Sequence, residues 1–378
     1  MNESDLLSEA QLVALAEALD GDMVLSVYLE QPVSDPAGRD AWQATILNAL
    51  APVRASLAEQ SRNERDEFER SVALLGDVVS DGSPAAHACG WVGFITSDQV
   101  RFAGALPAPT PTLVRWQRGV WATPCIRALK QHRVVIVAIA DGVSARLFRY
   151  VAGSLLPAGK VAVHVRGGHA DHLGALPRAG FHPGTRGTPA TDLAAKARVT
   201  ARGRLVHAAA SQILALAGES GYVILGGTTP AAHALLRELS PSLARHTLCL
   251  AALTARTPDA AIRDLAAQGA SALRDADDQA MVDQLIEAVG AHGAAVAGAV
   301  AVLDAASAGR AHEVLLTERF VNAEPELAEQ AVKFALAHHT RLEIVMGEAA
   351  DRLDREAGGI AAHLRFVRQP ADPLAAAS

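Results

Sequence analysis

Cysteine is scarce in this 378-residue chain: Cys89, Cys125 and Cys249 are odd in number and far apart, with no Cys-x-x-Cys pair. That argues against a disulfide framework and a cysteine zinc site, and it predicts a reducing compartment. Long apolar runs are missing as well. The weakest polar stretch, Ala294 to Leu303, is half of the ~20 residues that span a bilayer. The first residues, MNESDLLSEAQL, are acidic and lack the basic start and apolar run of a secretory signal, so the expected location is cytoplasmic, with no membrane partner. Positive charge is in deficit overall. A net charge of -7 excludes a histone-like coat on nucleic acid, so DNA is not an expected partner and any RNA contact has to be local.

What the chain has is apolar content: half its residues are hydrophobic, although only 4% are aromatic. That is enough material for two or three cores of ordinary size and excludes intrinsic disorder. The expected fold class is α/β in three domains: 1–131, 132–253 and 254–378.

In the first, MVLSVYLE (23 to 30) reads as a buried strand feeding a long helix from Asp40 to about Leu75, on the spacing of Trp42, Ile46, Leu50, Val53 and Leu57. Short strands are expected at Cys89 to Thr96 and Val100 to Ala103, before PAPTPT interrupts. In the second, RVVIVAIA (133 to 140) is a buried strand, Asp141-Gly142 a hairpin turn, Ala145 to Val151 its return and Val161 to Val165 a third strand. A helix follows from about Leu193 to Ala217, then a strand at Tyr222 to Leu225. Thr229 is the expected cap of the next helix, with Pro230 at its first position. In the third, helices over Asp259 to Gly290 precede strands at Val314 to Leu316 and Leu342 to Met346, with His363 to Val367 expected at the sheet edge.

Between Arg166 and Asp192 periodicity stops. This stretch of Gly, Pro, His, Arg and Thr is longer than a compact domain carries without a functional reason. Over residues 164 to 207 there are seven cations, Arg166, Arg178, Arg186, Lys196, Arg198, Arg202 and Arg204, against Asp171 and Asp192, a net +5 in a chain of net -7. Five of the 14 histidines fall here too: His164, His169, His172, His182 and His207. Such a patch attracts phosphates, and isolated Arg or Lys contacts position RNA without reading its sequence. A solvated basic face is the plainer alternative. Gly167-Gly168 adds weight to the first reading, since a backbone without Cβ atoms can press its amides against phosphate or ribose.

These parts resemble the archaeal/eukaryotic peptide chain release factor and Pelota superfamily, in its bacterial branch of Balon-type ribosome-associated factors. The resemblance is carried by VVIVAIADGVSARLFRY (134 to 150), GYVILGGTTPAAHALLREL (221 to 239), EVLLTERF (313 to 320), RLEIVMG (341 to 347) and GGIAAHLRF (358 to 366). It implies a variable N-terminal domain, an RNase H-like middle domain and an L7Ae/L30e-like C-terminal α/β/α sandwich. It implies a ribosome-binding role in the A site, in hibernation, rescue or quality control, with rRNA and tRNA as partners and a translational GTPase as a further one. Release factors carry Gly-Gly-Gln at the middle-domain loop tip, where the resemblance puts Gly167, Gly168 and His169. A glutamine amide donates and accepts without changing charge. Histidine, with an ordinary pKa of about 6.5, is base, acid or cation by turns. Peptidyl-tRNA ester hydrolysis with His169 as general base is therefore the enzymatic alternative to binding alone.

A metal reading competes, because Gly168-His169-Ala170-Asp171-His172 resembles part of the His-x-His-x-Asp-His motif of metallo-β-lactamase-fold hydrolases. Position 167 is glycine where that motif has its first histidine, so no metal site and no cofactor is expected. Gly226-Gly227-Thr228-Thr229 follows a strand and precedes a helix but lacks the lysine of a P-loop, which favours a structural turn. Asp141 has no companion carboxylates for a two-metal nuclease. His338-His339 reads as a polar helix end.

Overall fold

The structure is a computed structural model, and it describes residues 6–30, 36–80, 90–131, 133–151, 153–163, 190–218, 221–291 and 293–366. The chain is of the α/β class, with three sheets among the described residues, and divides into two compact units: one of Met1–His132 with Asp275–Ser378, and one of Arg133–Arg274.

The first unit begins with α1 (Glu9–Leu19), whose Ser8 and Gln11 form a capping box. Strand β1 (Met23–Leu29) lies inside a four-stranded antiparallel sheet with β2 (Gly90–Ile95), β3 (Val100–Leu106) and β4 (Leu113–Arg118), in the order β3-β2-β1-β4. Covered on both faces, β1 needs a continuous apolar run. Leu25, Val27 and Leu29 meet Ile46, Leu50, Phe68 and Leu75 of α2 (Pro36–Ser56) and α3 (Arg62–Ser80). Val24 and Tyr28 face a second core shared with α1 and α4 (Thr123–Gln131). The single long helix expected here is two, because the chain tightens into a 3-10 turn at Leu57–Glu59 and Ser61 then accepts the Glu64 N–H. Strand β4 and helix α4 add to the elements expected from the sequence, since LVRWQR has no clean alternation of polar and apolar residues to mark it.

The same unit holds a second sheet in the order β10-β13-β11-β12, from β10 (Ala295–Ala297), β11 (Ala311–Thr317), β12 (Arg341–Val345) and β13 (Ile360–Leu364). The last strand is thus internal, bonded to β10 and β11, and not the expected edge. Strand β10 is a further addition, because three residues of Ala and Val carry no strand signature. Helices α9 (Ala299–Ser307), α10 (Glu318–Ala323), α11 (Pro325–Ala337) and α12 (Gly347–Ala357) complete this layer. Val302, Phe320, Ala328 and Val332 join the core that contains Leu12, Tyr28 and Trp121.

One buried carboxylate fixes that junction. Glu329 of α11 accepts from Ala122 N at 2.8 Å, Thr123 N at 2.9 Å and Thr123 Oγ1 at 2.6 Å. The free N–H groups at the start of α4 therefore meet the oxygens of one buried carboxyl group. Trp121 just before them donates its N–H to Ser26 Oγ and accepts from the Tyr28 hydroxyl. Burial pushes the Glu329 carboxyl up to about 7, against the opposing pull of those donors and of Lys333. Burial likewise pushes the neighbouring Cys125 thiol up to about 12, leaving it inert.

The second unit is a five-stranded sheet in the order β7-β6-β5-β8-β9. Strands β5 (Val135–Ala140), β6 (Ser144–Val151) and β7 (Ser154–Ala162) form an antiparallel meander, and β8 (Tyr222–Gly227) and β9 (Thr247–Cys249) run parallel to β5. This is the RNase H-like arrangement that the resemblance implies. The third strand begins seven residues earlier than the sequence pattern predicts, because as an exposed edge strand it can include Pro157 and Gly159. Helix α5 (Ala190–Ala217) packs on one face through Leu205, Ala209 and Ile213, with α6 (Thr229–Glu238) and α7 (Pro241–Arg245) beside it. The start of α8 (Asp259–Gly290), through Ile262 and Ala266, covers the other face.

Candidate functional site

In the second unit, the sheet and α5 position the basic segment. From Leu205, the first core residue of α5 among the described side chains, to Ala217 is thirteen residues, or about 20 Å at 1.5 Å each. That matches β5 and β8, six residues and about 20 Å each, while β6 and β7 beneath the same helix are longer. A short connection joins the end of α5 to the start of β8, so the helix runs opposite to β8. The turns before Leu205 therefore extend past the ends of β5 and β8.

Arg198 and Arg204 on that projecting part are exposed, as is Val199. Arg202 is half-buried and its Nε has no hydrogen-bond partner. Among the described residues no ion pair holds any of the three. His207, at the boundary, meets Glu238 Oε1 of α6 through Nδ1 at 2.8 Å. Lys196 lies within α5, but its side chain is outside the described residues. So are Arg166, Gly167, Gly168, His169, Arg178 and Arg186 entirely, together with the His169-Ala170-Asp171-His172 metal reading and Cys89.

The two turns at the same end of the sheet are occupied by the fold itself. Asp141 Oδ1 accepts the N–H groups of Val143 and Ser144, each at 2.7 Å, closing the β5–β6 hairpin. At the end of β8, Gly227 N donates to Leu253 O and Thr228 N to Ala140 O, so these amides are not free to hold a phosphate. Gly227 has φ +104°, and a Cβ there would stand 1.8 Å from Ala140 O. Only glycine fits. The helix cap is Thr228, one residue earlier than expected, and it acts through its backbone with no side-chain bond; Pro230 follows in the first turn. His338 caps the C-terminus of α11, with Nε2 3.2 Å from Ser307 O. Among the described residues no three His, Cys, Asp or Glu are grouped as metal ligands would be, and no helix is long and apolar enough to cross a membrane.

Sequence reasoning missed Glu329, which looks like any helical glutamate, and Arg115, whose guanidinium lies 4.8 Å from the centre of the Trp121 ring. No pattern marks a contact between positions 206 residues apart, as Thr123 and Glu329 are.

No family model and no curated protein matches the chain. Among solved structures, it is similar to the archaeal translation termination factor aRF1 at 17% identity and a TM-score of 0.26, over 97% of this chain and 100% of that one. It is similar to Dom34 of S. cerevisiae, a translation termination-like factor involved in RNA quality control and interacting with Hbs1. That match has 12% identity and a TM-score of 0.46, over 78% of this chain and 82% of the other. Pelota of Archaeoglobus fulgidus matches at 14% identity and a TM-score of 0.32, over 74% and 80%.

Proposed function

We propose that this chain is a ribosome-binding translation factor of the release factor and Pelota type, acting in or near the A site in hibernation, rescue or quality control. The observation that carries the reading is the projecting half of α5. Its exposed arginines continue the basic Gly-rich segment past the end of the RNase H-like sheet. Cations on a helix that leaves its own core can reach RNA phosphates without unfolding anything.

In this reading Arg166, Arg178, Arg186, Lys196, Arg198, Arg202 and Arg204 contact rRNA or tRNA phosphates, and Gly167 and Gly168 allow close approach of the backbone. The division into 1–131, 132–253 and 254–378, an L7Ae/L30e-like last domain, the place in the Balon-type branch, the cytoplasmic location and a translational GTPase partner belong to the same proposal. Binding, not hydrolysis, is its core.

Purified protein is pelleted with vacant and with peptidyl-tRNA-loaded ribosomes while peptide release is followed on the same samples. Co-sedimentation that is lost in Arg198→Glu/Arg204→Glu supports the reading. Absence of co-sedimentation with either ribosome overturns it. Release that disappears in His169→Ala makes the protein a peptidyl-tRNA hydrolase instead.

A further inference from the structure

The outer edge of β4 in the first unit has no strand paired with it among the described residues. Among the described residues β4 is the last strand of its sheet, bonded to β1 alone, whereas the opposite edge, β3, is met at Ala105 by Leu6 and Leu7. Gly119 N donates to Asp22 O, and the β1–β4 register is regular from Met23–Arg118 to Tyr28–Leu113. Antiparallel pairing alternates, so Gln117, Arg115 and Leu113 turn their backbone groups towards β1. Val114 and Trp116 then present theirs outward. Lys333 Nζ bonds the next carbonyl in that outward series, Arg118 O, at 2.9 Å.

A hollow flanks this edge on each face. On one side lies about 200 Å³ between Leu113, Arg115, Trp121, Arg127 and Asn322. On the other lies about 340 Å³ between Val114 and the α2 residues Ala49, Pro52 and Val53. Strand side chains alternate between faces, and these two hollows straddle one backbone in that way. Their chemistry differs. Arg127 is paired with Glu318, which leaves Arg115, a residue that lines both hollows, without an ion pair among the described residues. Its guanidinium rests on Trp121, and its Nε has no hydrogen-bond partner. Ala49, Pro52, Val53, Leu113 and Val114 make most of the wall of the second hollow, beside Ser56, Thr112 and Arg115.

We propose that the β4 edge binds an extended peptide of a partner protein, in which carboxylate side chains facing Arg115 alternate with apolar side chains facing α2. The main chain of the peptide completes the outward N–H and C=O groups, and the two hollows read alternate residues. A carboxylate can bridge to the Arg115 guanidinium with a charge-assisted bond. A second copy of this chain fits poorly, because edge-to-edge pairing brings the like charges of two Arg115 edges together.

The test uses the full chain and fluorescein-labelled heptapeptides alternating Glu with Val, Ile, Leu or Phe, read by anisotropy. Binding is expected for at least one, weakened tenfold or more when Lys replaces Glu and again in Arg115→Ala, whose folding is checked by circular dichroism. Backbone N-methylation of one alternate set of peptide residues is expected to abolish binding while the other set tolerates it. That arm leaves the protein untouched. No binding up to millimolar peptide, equal tolerance of both methylated sets, or equal affinity for Lys peptides overturns the proposal. A concentration-dependent dimer in place of peptide binding overturns it in favour of self-pairing.

Discussion

Replacing Glu329 by glutamine should change the way the stability of the first unit depends on pH. The wild-type carboxyl titrates at about 7 in the folded chain, raised from 4.5 by burial. Between these values the folded state holds a proton that the unfolded state has released, so unfolding free energy falls as pH rises. The stabilisation is complete below pH 4.5 and lost as pH passes 7. Full burial leaves no solvent screening to discount, and 1.36 kcal/mol per unit gives about 3 kcal/mol over the whole window, or about 2.5 between pH 5 and 8. Glutamine stays neutral and keeps an acceptor for Ala122 N or Thr123 N, although its amide N–H₂ faces the remaining donors and costs some stability at every pH. The assay is urea unfolding at pH 5 and 8. Tryptophan emission reports on this unit alone, since Trp42, Trp91, Trp116 and Trp121 all lie in it. The free energy difference between wild type and Glu329→Gln should move by about 2.5 kcal/mol in favour of glutamine from pH 5 to pH 8. Parallel pH profiles for the two proteins would refute the reasoning.

Three further outcomes are expected. In ribosome pelleting across a salt series, Arg198→Ala/Arg204→Ala should flatten the dependence of log affinity on log salt by about 1 to 2, because each lost phosphate contact releases roughly one counterion fewer; an unchanged slope would remove these side chains from the interface. Gly227→Ala should destabilise the second unit by about 3 kcal/mol, since a Cβ would overlap Ala140 O in a backbone that only glycine adopts comfortably. Amide exchange of β5 and β8 should then be about 100-fold faster, and unchanged exchange would contradict the packing described. If His169 acts as a base towards water, peptide release should rise with pH through about 6.5 and vanish in His169→Ala; release insensitive to that substitution assigns it no catalytic part.

The strands buried on both faces are legible in the residues alone. MVLSVYL and VIVAIA are continuous apolar runs because no face of them meets water, and Asp141-Gly142 turns the chain between two such strands for reasons local to four residues. The concentration of positive charge after β7 is equally legible, being a matter of counting. Edge strands are not, since β7 and β4 need apolar residues on fewer positions and carry Pro157, Gly159, Arg115 and Gln117 at the rest. Strand order is beyond the sequence too, which is why the pattern puts β13 at the edge whereas it lies inside.

What the sequence determined by itself, then, is local: periodicity, turn chemistry and the sign of charge along the chain, all set by residues a few positions apart. What only the tertiary structure decided is which distant groups meet. Glu329 becomes the cap of a helix more than 200 residues earlier, and Arg115 becomes, among the described residues, a cation without an ion pair beside the outermost strand of its sheet. The cost of leaving a buried N–H or carboxylate without a partner drives these meetings, and that cost is felt only once the chain has excluded water from both.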